Sequence, residues 1–330
     1  PEELIQARPR LSLFQAWALV FTGQLDRLAA QLHESKTAIG HNFIEPETQL
    51  LIPGELTAIE GTIAYFRRDY RQAIALYQQA LAQLPVENLF LRSAITFSLA
   101  TACNLSGDLS GASRAFAQGR DLSLAGGNLE LALIASSNLA QLHAEQGQLH
   151  RAAEIYRQAL QISAGDDRPD LIARLKVGLA EILYEWNDLP AASDYLAQAF
   201  ANEEQASEPA NLIAGHLILA RLKSAQGEHE AAWGSLRQAE RVAQHNNLPS
   251  WQPRLAAGRA RLWLRQGELQ QASHEQQLSR FSPDELVFDD SAGYPAELHR
   301  LFRMSQIRVQ LAQARSKGYA GLDHLDRAVK

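Results

Sequence analysis

Cys103 and His143 are residues whose side chains could bind a metal ion, and they stand 40 positions apart. Thiolate and imidazole are common zinc ligands, but a metal site needs further ligands of suitable type. Leu183 follows His143 at the same spacing. We therefore interpret this recurring position as a packing position and predict that no metal is bound there.

Motifs for catalysis are absent from the sequence. No Gly-x-x-x-x-Gly-Lys-Ser/Thr segment is present that would bind the phosphates of a nucleotide. His33-Glu34 is not followed by a histidine at the spacing of a zinc-protease motif. We therefore expect the protein not to be an enzyme and to use no cofactor.

The same spacing recurs in a series of glycine and asparagine residues, which we call slots. Counting back from the regular series, two further slots fall on Arg68 and Gly23, and counting forward an eighth falls on Ala314. A fixed period of this size predicts stacked structural repeats that each contain a pair of helices. The regularly spaced slots are Gly107, Gly147, Asn187, Gly227 and Gly267.

The residues around each slot predict two packed helices and a tight turn. Small residues stand seven positions before and five positions after most slots, which allows the two helices to approach closely. Large apolar residues two and nine positions after most slots give the second helix one apolar face. Glycine suits a left-handed turn at a helix end, where Asn187 is tolerated and Arg68 is strained. Prolines such as Pro53 and Pro85 are predicted to break helices or to lie in their first turns.

Composition predicts a helical solenoid that is soluble and has a large surface in contact with water. The net charge of −6 provides no basic surface for nucleic acid, so we expect no direct nucleic acid contact. A single cysteine excludes an internal disulfide and fits a cytoplasmic protein. No apolar run approaches the roughly 18 residues of a membrane span, so we expect no membrane contact. The unbroken repeat predicts one elongated domain over residues 1–330, and Pro1 suggests a fragment of a larger protein.

The segment from Gly147 to Leu160 resembles the second helix of a tetratricopeptide repeat (TPR). Three features narrow the family that the chain resembles. They are the 40-residue length of the repeat, the segment Arg8-Pro9-Arg10-Leu11 and the segment Gly107-Asp108-Leu109. Over residues 8–315 the chain resembles the TPR sensor region of MalT-like, LuxR-type, ATP-dependent transcriptional activators. The resemblance implies an all-α, right-handed superhelical solenoid of about seven to eight helix pairs. It also implies an NTPase module upstream, a helix-turn-helix module downstream and an inducer bound by the superhelix.

The resemblance further places side chains in a concave groove, at offsets of −13, −10, −6, −3 and −2 from each slot. This series is aromatic at its N-terminal end, polar in the middle and cationic at its C-terminal end. Aromatic rings beside a few polar groups suit a small polar ligand, whereas arginine clusters suit carboxylates, phosphates or an acidic peptide. The alternative interpretation is packing between repeats and ion pairing within the chain. The candidate groove residues are Trp17, Phe21, Thr62, Tyr65, Phe66, Phe97, Thr101, Asn104, Gln141, Glu145, Glu181, Tyr184, Glu185, Arg221, Arg254, Arg261 and Arg265.

Two functional classes agree with these features. In the first, the chain is the effector-sensing and protein-interaction domain of a MalT-like LuxR-family transcriptional regulator, and its groove binds a small inducer or a regulatory partner. In the second, it is a TPR adaptor that binds a partner peptide and is unrelated to transcription. Peptide clamps favour regularly spaced Asn, Lys and Arg, whereas a sugar site favours aromatic rings beside carboxylates and amides. This chain has both kinds of residue, at opposite ends of the groove.

Overall fold

The computed structural model describes residues 9–21, 24, 27, 46–165, 168–201, 208–278, 304 and 307–314. Most of these residues are helical, and short turns connect the helices, so the predicted all-α fold is confirmed. Within the described part of the chain, no helix is both long and apolar enough to cross a membrane. The helices are α1 (Pro9–Phe21), α2 (Pro46–Phe66), α3 (Tyr70–Gln83), α4 (Leu89–Ser106), α5 (Leu109–Ala125), α6 (Leu129–Glu145), α7 (Leu149–Ile162), α8 (Pro169–Glu185), α9 (Leu189–Phe200), α10 (Pro209–Ala225), α11 (His229–His245), α12 (Gln252–Arg265), α13 (Leu269–Leu278) and α14 (307–314).

Helices that are joined across a slot pack against each other, as α4 packs on α5 and α10 on α11. Successive pairs also pack, as α3 does against α4 and α8 against α10, which is the stacking of a TPR-like solenoid. The contacts divide the chain into two compact units, with the boundary between Leu139 and Ala140 inside α6. The single domain over residues 1–330 stays a prediction.

The slot residues adopt the left-handed backbone conformation that the period predicts. The φ angle is 61° at both Arg68 and Asn187 and lies between 76° and 86° at the four glycine slots described. In each of these six turns, the amide after the slot donates to a carbonyl five residues earlier at 2.9 Å, as in a Schellman turn. Gly23 lies outside the described residues, so its slot stays a prediction, whereas Ala314 is helical and does not have the left-handed conformation of the other slots.

Aspartates directly after three slots begin the second helices of their pairs. The carboxylates of Asp69, Asp108 and Asp188 accept hydrogen bonds of 3.0, 2.8 and 3.2 Å from the amide three residues later. Each carboxylate thereby satisfies a backbone donor that has no partner inside the helix and lies at its positive end. The turn therefore ends one helix and begins the next within a few residues.

The small residues on both sides of the slots form the contact between the two helices of each pair. The alanines seven residues before and five residues after the slots are at most 3 % exposed. Gly61 replaces alanine in one repeat, and a Cβ atom there would lie 2.9 Å from the Tyr77 ring. Glycine is therefore required at this position, because the facing side chain is a large ring.

A large buried side chain stands nine residues after most slots, and we call these residues the pair anchors. Each anchor lies on the second helix of its pair and is at most 5 % exposed. Burial of this kind supplies most of the favourable free energy of a helix pair. The pair anchors are Tyr77, Phe116, Tyr156, Leu196 and Leu236.

The prediction for Pro53 is wrong, because this residue lies in the interior of α2. A proline inside a helix removes one backbone hydrogen bond. The carbonyl of Pro53 still accepts a hydrogen bond of 2.9 Å from the Thr57 hydroxyl. In addition, α2 packs along both α1 and α3. The packing of α2 against two neighbouring helices therefore outweighs the local preference of proline. Pro85 lies between α3 and α4, as predicted.

Replacing Arg68 with glycine is expected to raise the free energy of unfolding by about 1 kcal/mol. An L-residue in the left-handed region costs roughly 1–2 kcal/mol, and glycine avoids this cost while losing more entropy on folding. Urea denaturation with an unchanged m-value measures the effect. Arg67→Gly is the matched control and should lower stability, because Arg67 does not have a positive φ. A lower urea midpoint for Arg68→Gly would contradict the prediction.

Candidate functional site

Tyr184 lies at the centre of a group of charged side chains in the unit that begins at Ala140. Its ring is buried, and the guanidinium carbon of Arg221 lies 4.4 Å from the ring centroid. The guanidinium carbon of Arg261 lies 5.9 Å from the same centroid, and its Nη2 donates to the tyrosine hydroxyl at 3.4 Å. Cations within about 6 Å of an aromatic ring are attracted to its face. One tyrosine thus contacts arginines from the two following repeats.

Glu181 and Glu185 hold Arg221 in a fixed position. Nη1 of Arg221 donates to Glu181 at 2.8 Å, and Nη2 donates to Glu185. The two glutamates are one turn apart on α8, so both carboxylates reach the same planar guanidinium on α10. The Arg221 side chain is only 17 % exposed, whereas the carboxylates are 50 % and 43 % exposed. The charge of Arg221 is therefore matched within the protein.

Three further arginines near this ion pair have no such match in the part of the chain that the structure describes. Arg265 lies one turn after Arg261 on α12, and Arg308 on α14 is close enough to feel the charges of Arg221, Arg265 and Glu185. Among the described residues, none of these three arginines forms an ion pair with a carboxylate. We call this group the Tyr184 cluster, and it consists of Glu181, Tyr184, Glu185, Arg221, Arg261, Arg265 and Arg308.

The direction of the pKa shift differs between Arg221, on the one hand, and Arg261 and Arg308, on the other. Burial lowers the pKa of Arg221, but the carboxylates of Glu181 and Glu185 outweigh burial and raise it overall. Burial, followed by the charge of Arg221, lowers the pKa of Arg261 to about 10. Burial and the charge of Arg221 also lower the pKa of Arg308. The charged forms of Arg261 and Arg308 are therefore disfavoured by their surroundings.

The chemistry available to the Tyr184 cluster is the binding of negative charge. Four arginines against two glutamates leave an excess of two positive charges. The planar donor groups of arginine match the paired oxygens of carboxylate and phosphate groups. Within the described part of the chain, no group of three or more His, Cys, Asp or Glu residues is placed to hold a metal ion.

Cys103 and His143, the two potential metal ligands, are both buried. Burial raises the pKa of the Cys103 thiol and lowers the pKa of His143, which favours the uncharged form of each side chain. His143 Nδ1 is hydrogen-bonded to the Gln148 side chain at 2.8 Å. The burial and neutrality of each side chain agree with the packing interpretation.

The predicted groove aromatics other than Tyr184 lie in the unit that ends at Leu139, and they differ in exposure. Phe66 is 47 % exposed and contacts Tyr65 edge-to-face, with the ring centroids 5.6 Å apart. Tyr65 also contacts Tyr70 at 5.9 Å. Phe97 instead packs edge-to-face on the buried Phe116, with the ring centroids 5.6 Å apart. Phe66 therefore offers an open apolar surface, whereas Phe97 contributes to the core.

The polar groove residues of this unit mostly bond to their own helices. The hydroxyl of Thr62 donates to the Ala58 carbonyl, and that of Thr101 donates to the Phe97 carbonyl. Asn104 is only 4 % exposed, so its placement on an open groove surface is corrected. It is buried because its position on α4 faces the neighbouring helices rather than solvent.

The remaining predicted groove residues lie in three separate places. Trp17 packs against the apolar core between α1 and α2, and the side chain of Phe21 lies outside the described residues. Gln141 donates to Glu145 one turn later on α6 at 3.4 Å. The guanidinium of Arg254 lies 5.1 Å from the centroid of the buried Trp251 ring. The Tyr184 cluster is therefore the place where the structure brings together predicted groove residues from three successive repeats.

Arg308 is the member of the Tyr184 cluster that the sequence interpretation missed. It stands six residues before Ala314, as Arg221 and Arg261 stand six residues before Gly227 and Gly267. The predicted eighth slot could therefore have identified it. The series of groove positions ends at Gly267, because the interval from there to Ala314 is longer than the regular period.

Comparison with known families identifies the class of protein. A family model described as the MalT-like TPR region matches residues 54–324, which is most of the chain. The chain therefore belongs to the MalT-like TPR region family, and the predicted resemblance is confirmed. No curated protein matches the sequence.

Solved structures share the fold at low sequence identity. The apo form of RapI aligns with a TM-score of 0.64 at 12 % identity, over 89 % of this chain and 98 % of RapI. The Rap conjugation gene regulator of the plasmid pLS20, in complex with the Phr* peptide, aligns with a TM-score of 0.54 at 15 % identity, over 95 % and 98 % of the two chains. NprR in complex with its cognate peptide NprX aligns with a TM-score of 0.53 at 15 % identity, over 90 % and 84 %. These likenesses show a common TPR fold.

Proposed function

We propose that this chain is the effector-sensing and protein-interaction domain of a MalT-like LuxR-family transcriptional regulator. It binds an inducer or a regulatory partner on the surface formed by the first helices of its repeats and performs no catalysis. An NTPase module and a helix-turn-helix module belong to the same polypeptide in this proposal, and the protein acts in the cytoplasm.

Membership of the MalT-like TPR region family is the observation that carries this proposal. The Tyr184 cluster adds a site whose excess positive charge suits a ligand rather than the interior of a protein. Binding shifts the regulator towards its active arrangement only if the ligand prefers that arrangement, and a coupling of about 1–3 kcal/mol is typical.

A peptide is the second candidate for the occupant of this surface. The pLS20 Rap regulator and NprR have the same fold and were solved in complex with peptides. In that case the domain is a TPR adaptor for a partner peptide, and the role in transcription is dropped. The flanking sequence in the full-length gene separates the two proposals, because an upstream P-loop and a downstream helix-turn-helix belong only to the regulator.

A thermal-shift screen with sugars, other metabolites and acidic peptides tests whether the domain senses an effector. A ligand that binds the folded state raises the melting temperature by mass action, with a gain of about 2.7 kcal/mol at 100 times Kd. A hit should also change transcription by the full-length regulator. A hit without any effect on transcription would favour the adaptor, and no hit in any class would contradict both proposals.

Replacing both Tyr65 and Phe66 with alanine is expected to weaken effector binding about tenfold or more. The melting temperature should fall by less than about 4 °C. Phe66 is half exposed, so its removal leaves little empty space in the core. Calorimetric titration with the hit of the screen measures binding. Phe90→Ala is the matched control, because Phe90 is exposed and lies outside the predicted groove. Equal losses of binding and stability would mean that both rings belong to the core.

A further inference from the structure

Arg261 and Arg308 are partly buried cations that have no carboxylate partner among the described residues. A charge removed from water is costly unless an opposite charge or a hydrogen-bonding partner compensates it. Arg221 shows the compensated case in the same place, since two glutamates hold its guanidinium. The missing counter-charge for Arg261 and Arg308 must therefore come from outside the described residues.

The arrangement around Tyr184 fixes where this counter-charge binds. Arg221 is held on the tyrosine ring by Glu181 and Glu185, so both of its Nη atoms already donate to carboxylates. Arg261 reaches the hydroxyl end of the same ring through a long hydrogen bond of 3.4 Å, which a stronger acceptor can replace. Arg265 lies one turn further along α12 and is exposed. The donors of Arg261 thus lie beside the hydroxyl end of Tyr184, and the charges of Tyr184 and Arg265 act on Arg308.

We propose that Arg261, Arg265 and Arg308 bind an oxyanion group of the ligand that carries two negative charges. The excess of two positive charges in the Tyr184 cluster requires a dianion, such as a phosphate or two neighbouring carboxylates. Tyr184 and Arg221 form the rigid support of this site, and Glu181 and Glu185 repel an anion from the face of Arg221. The inference rests on the proposed function, because it names the chemistry of the ligand that the sensing surface binds.

Titrations at constant ionic strength test this inference. The probes are inorganic phosphate, glutarate, acetate, an acidic peptide with two adjacent aspartates and the same peptide with asparagines in their place. We expect phosphate or glutarate to bind with one-to-one stoichiometry and to raise the melting temperature, and acetate to bind at least tenfold more weakly. Binding of acetate as tight as that of both dianions would overturn the inference.

The variant Arg261→Gln/Arg308→Gln should weaken dianion binding at least tenfold. Arg237→Gln/Arg241→Gln is the matched control, because it removes the same charge from exposed positions on α11 and should leave binding unchanged. Arg265→Gln at an exposed position provides a single variant that folds independently of the buried arginines, and it should weaken binding at least threefold. Unchanged binding in Arg265→Gln and the double cluster variant would overturn the inference.

The peptide pair distinguishes the two sources of the oxyanion. Tighter binding of the aspartate peptide than of glutarate identifies peptide carboxylates as the ligand group, whereas binding of phosphate alone identifies a phosphorylated small molecule. If the effector screen yields a ligand that binds the double cluster variant as well as the wild type, the inference fails and the proposed function stands. If dianions bind through the cluster but have no effect on transcription, the inference stands and the regulatory function fails.

Discussion

Replacing Phe116 with alanine is expected to lower the free energy of unfolding by about 3–5 kcal/mol. Phe116 is a pair anchor with no exposed surface, and its ring packs edge-to-face on Phe97 across the α4–α5 pair. The substitution removes the burial of the ring and leaves a cavity between two closely packed helices, which relax only partly. Urea denaturation followed by far-ultraviolet circular dichroism measures the loss.

Phe90→Ala is the matched control for this prediction, because Phe90 is 67 % exposed on α4. Its free energy of unfolding should change by less than about 0.5 kcal/mol. Tyr156→Ala provides a second test, since Tyr156 is the anchor of the next repeat and should show a similarly large loss. A small effect at Phe116 would mean that the positions nine residues after the slots are not the anchors of the helix pairs.

The sequence predicts the features of the fold that depend on the period. The slots predict the left-handed turns, including the strained one at Arg68, because a tight turn between two helices needs a positive φ at one fixed position. The alanines beside the slots predict the close helix contacts for a similar reason. Such features repeat in every unit, so each repeat supports the interpretation of the others.

Features that depend on one particular neighbour could not be predicted. The local preference of Pro53 predicts an interrupted helix, but the contacts of α2 with two other helices keep the helix continuous. The resemblance to TPR proteins places Phe97 in the groove, but its ring lies on Phe116, a residue of the next helix. A helical period identifies the face on which a side chain lies, but it does not identify the residue that the side chain meets.

The repeat period also makes the Tyr184 cluster partly predictable. Glu181, Arg221 and Arg261 stand six residues before three successive slots, so stacked repeats bring their side chains together. The ion pairs of Arg221 could not be predicted, because the sequence equally allows each arginine to remain free or to pair with a carboxylate. Only the geometry shows that Arg221 is matched by carboxylates, while Arg261 and Arg308 have no carboxylate partner among the described residues.

Replacing Arg261 with methionine is expected to raise the free energy of unfolding of the ligand-free protein by about 2 kcal/mol. Burial and the charge of Arg221 lower the pKa of Arg261 to about 10 in the folded protein. When folding lowers the pKa of a base, the folded state is destabilised, and the whole of this cost is present at any pH below the folded-state pKa. The cost disappears as the pH rises from about 10 towards the pKa of arginine in the unfolded chain. At pH 7 the full cost is therefore present, and lowering a pKa by one corresponds to about 1.4 kcal/mol before relaxation reduces the cost.

The stabilisation by Arg261→Met is measured as a higher urea midpoint at pH 7 with an unchanged m-value. Methionine retains the apolar stem of arginine but loses the weak hydrogen bond to Tyr184. Arg237→Met at an exposed position on α11 is the matched control and should change stability by less than about 0.5 kcal/mol. Added sodium chloride should stabilise the wild type more than Arg261→Met, because salt screens the repulsion among the cluster arginines. A lower urea midpoint for Arg261→Met would show that favourable contacts hold Arg261 in the folded protein. A higher midpoint together with lost dianion binding is the trade-off between stability and function that is expected of a binding site.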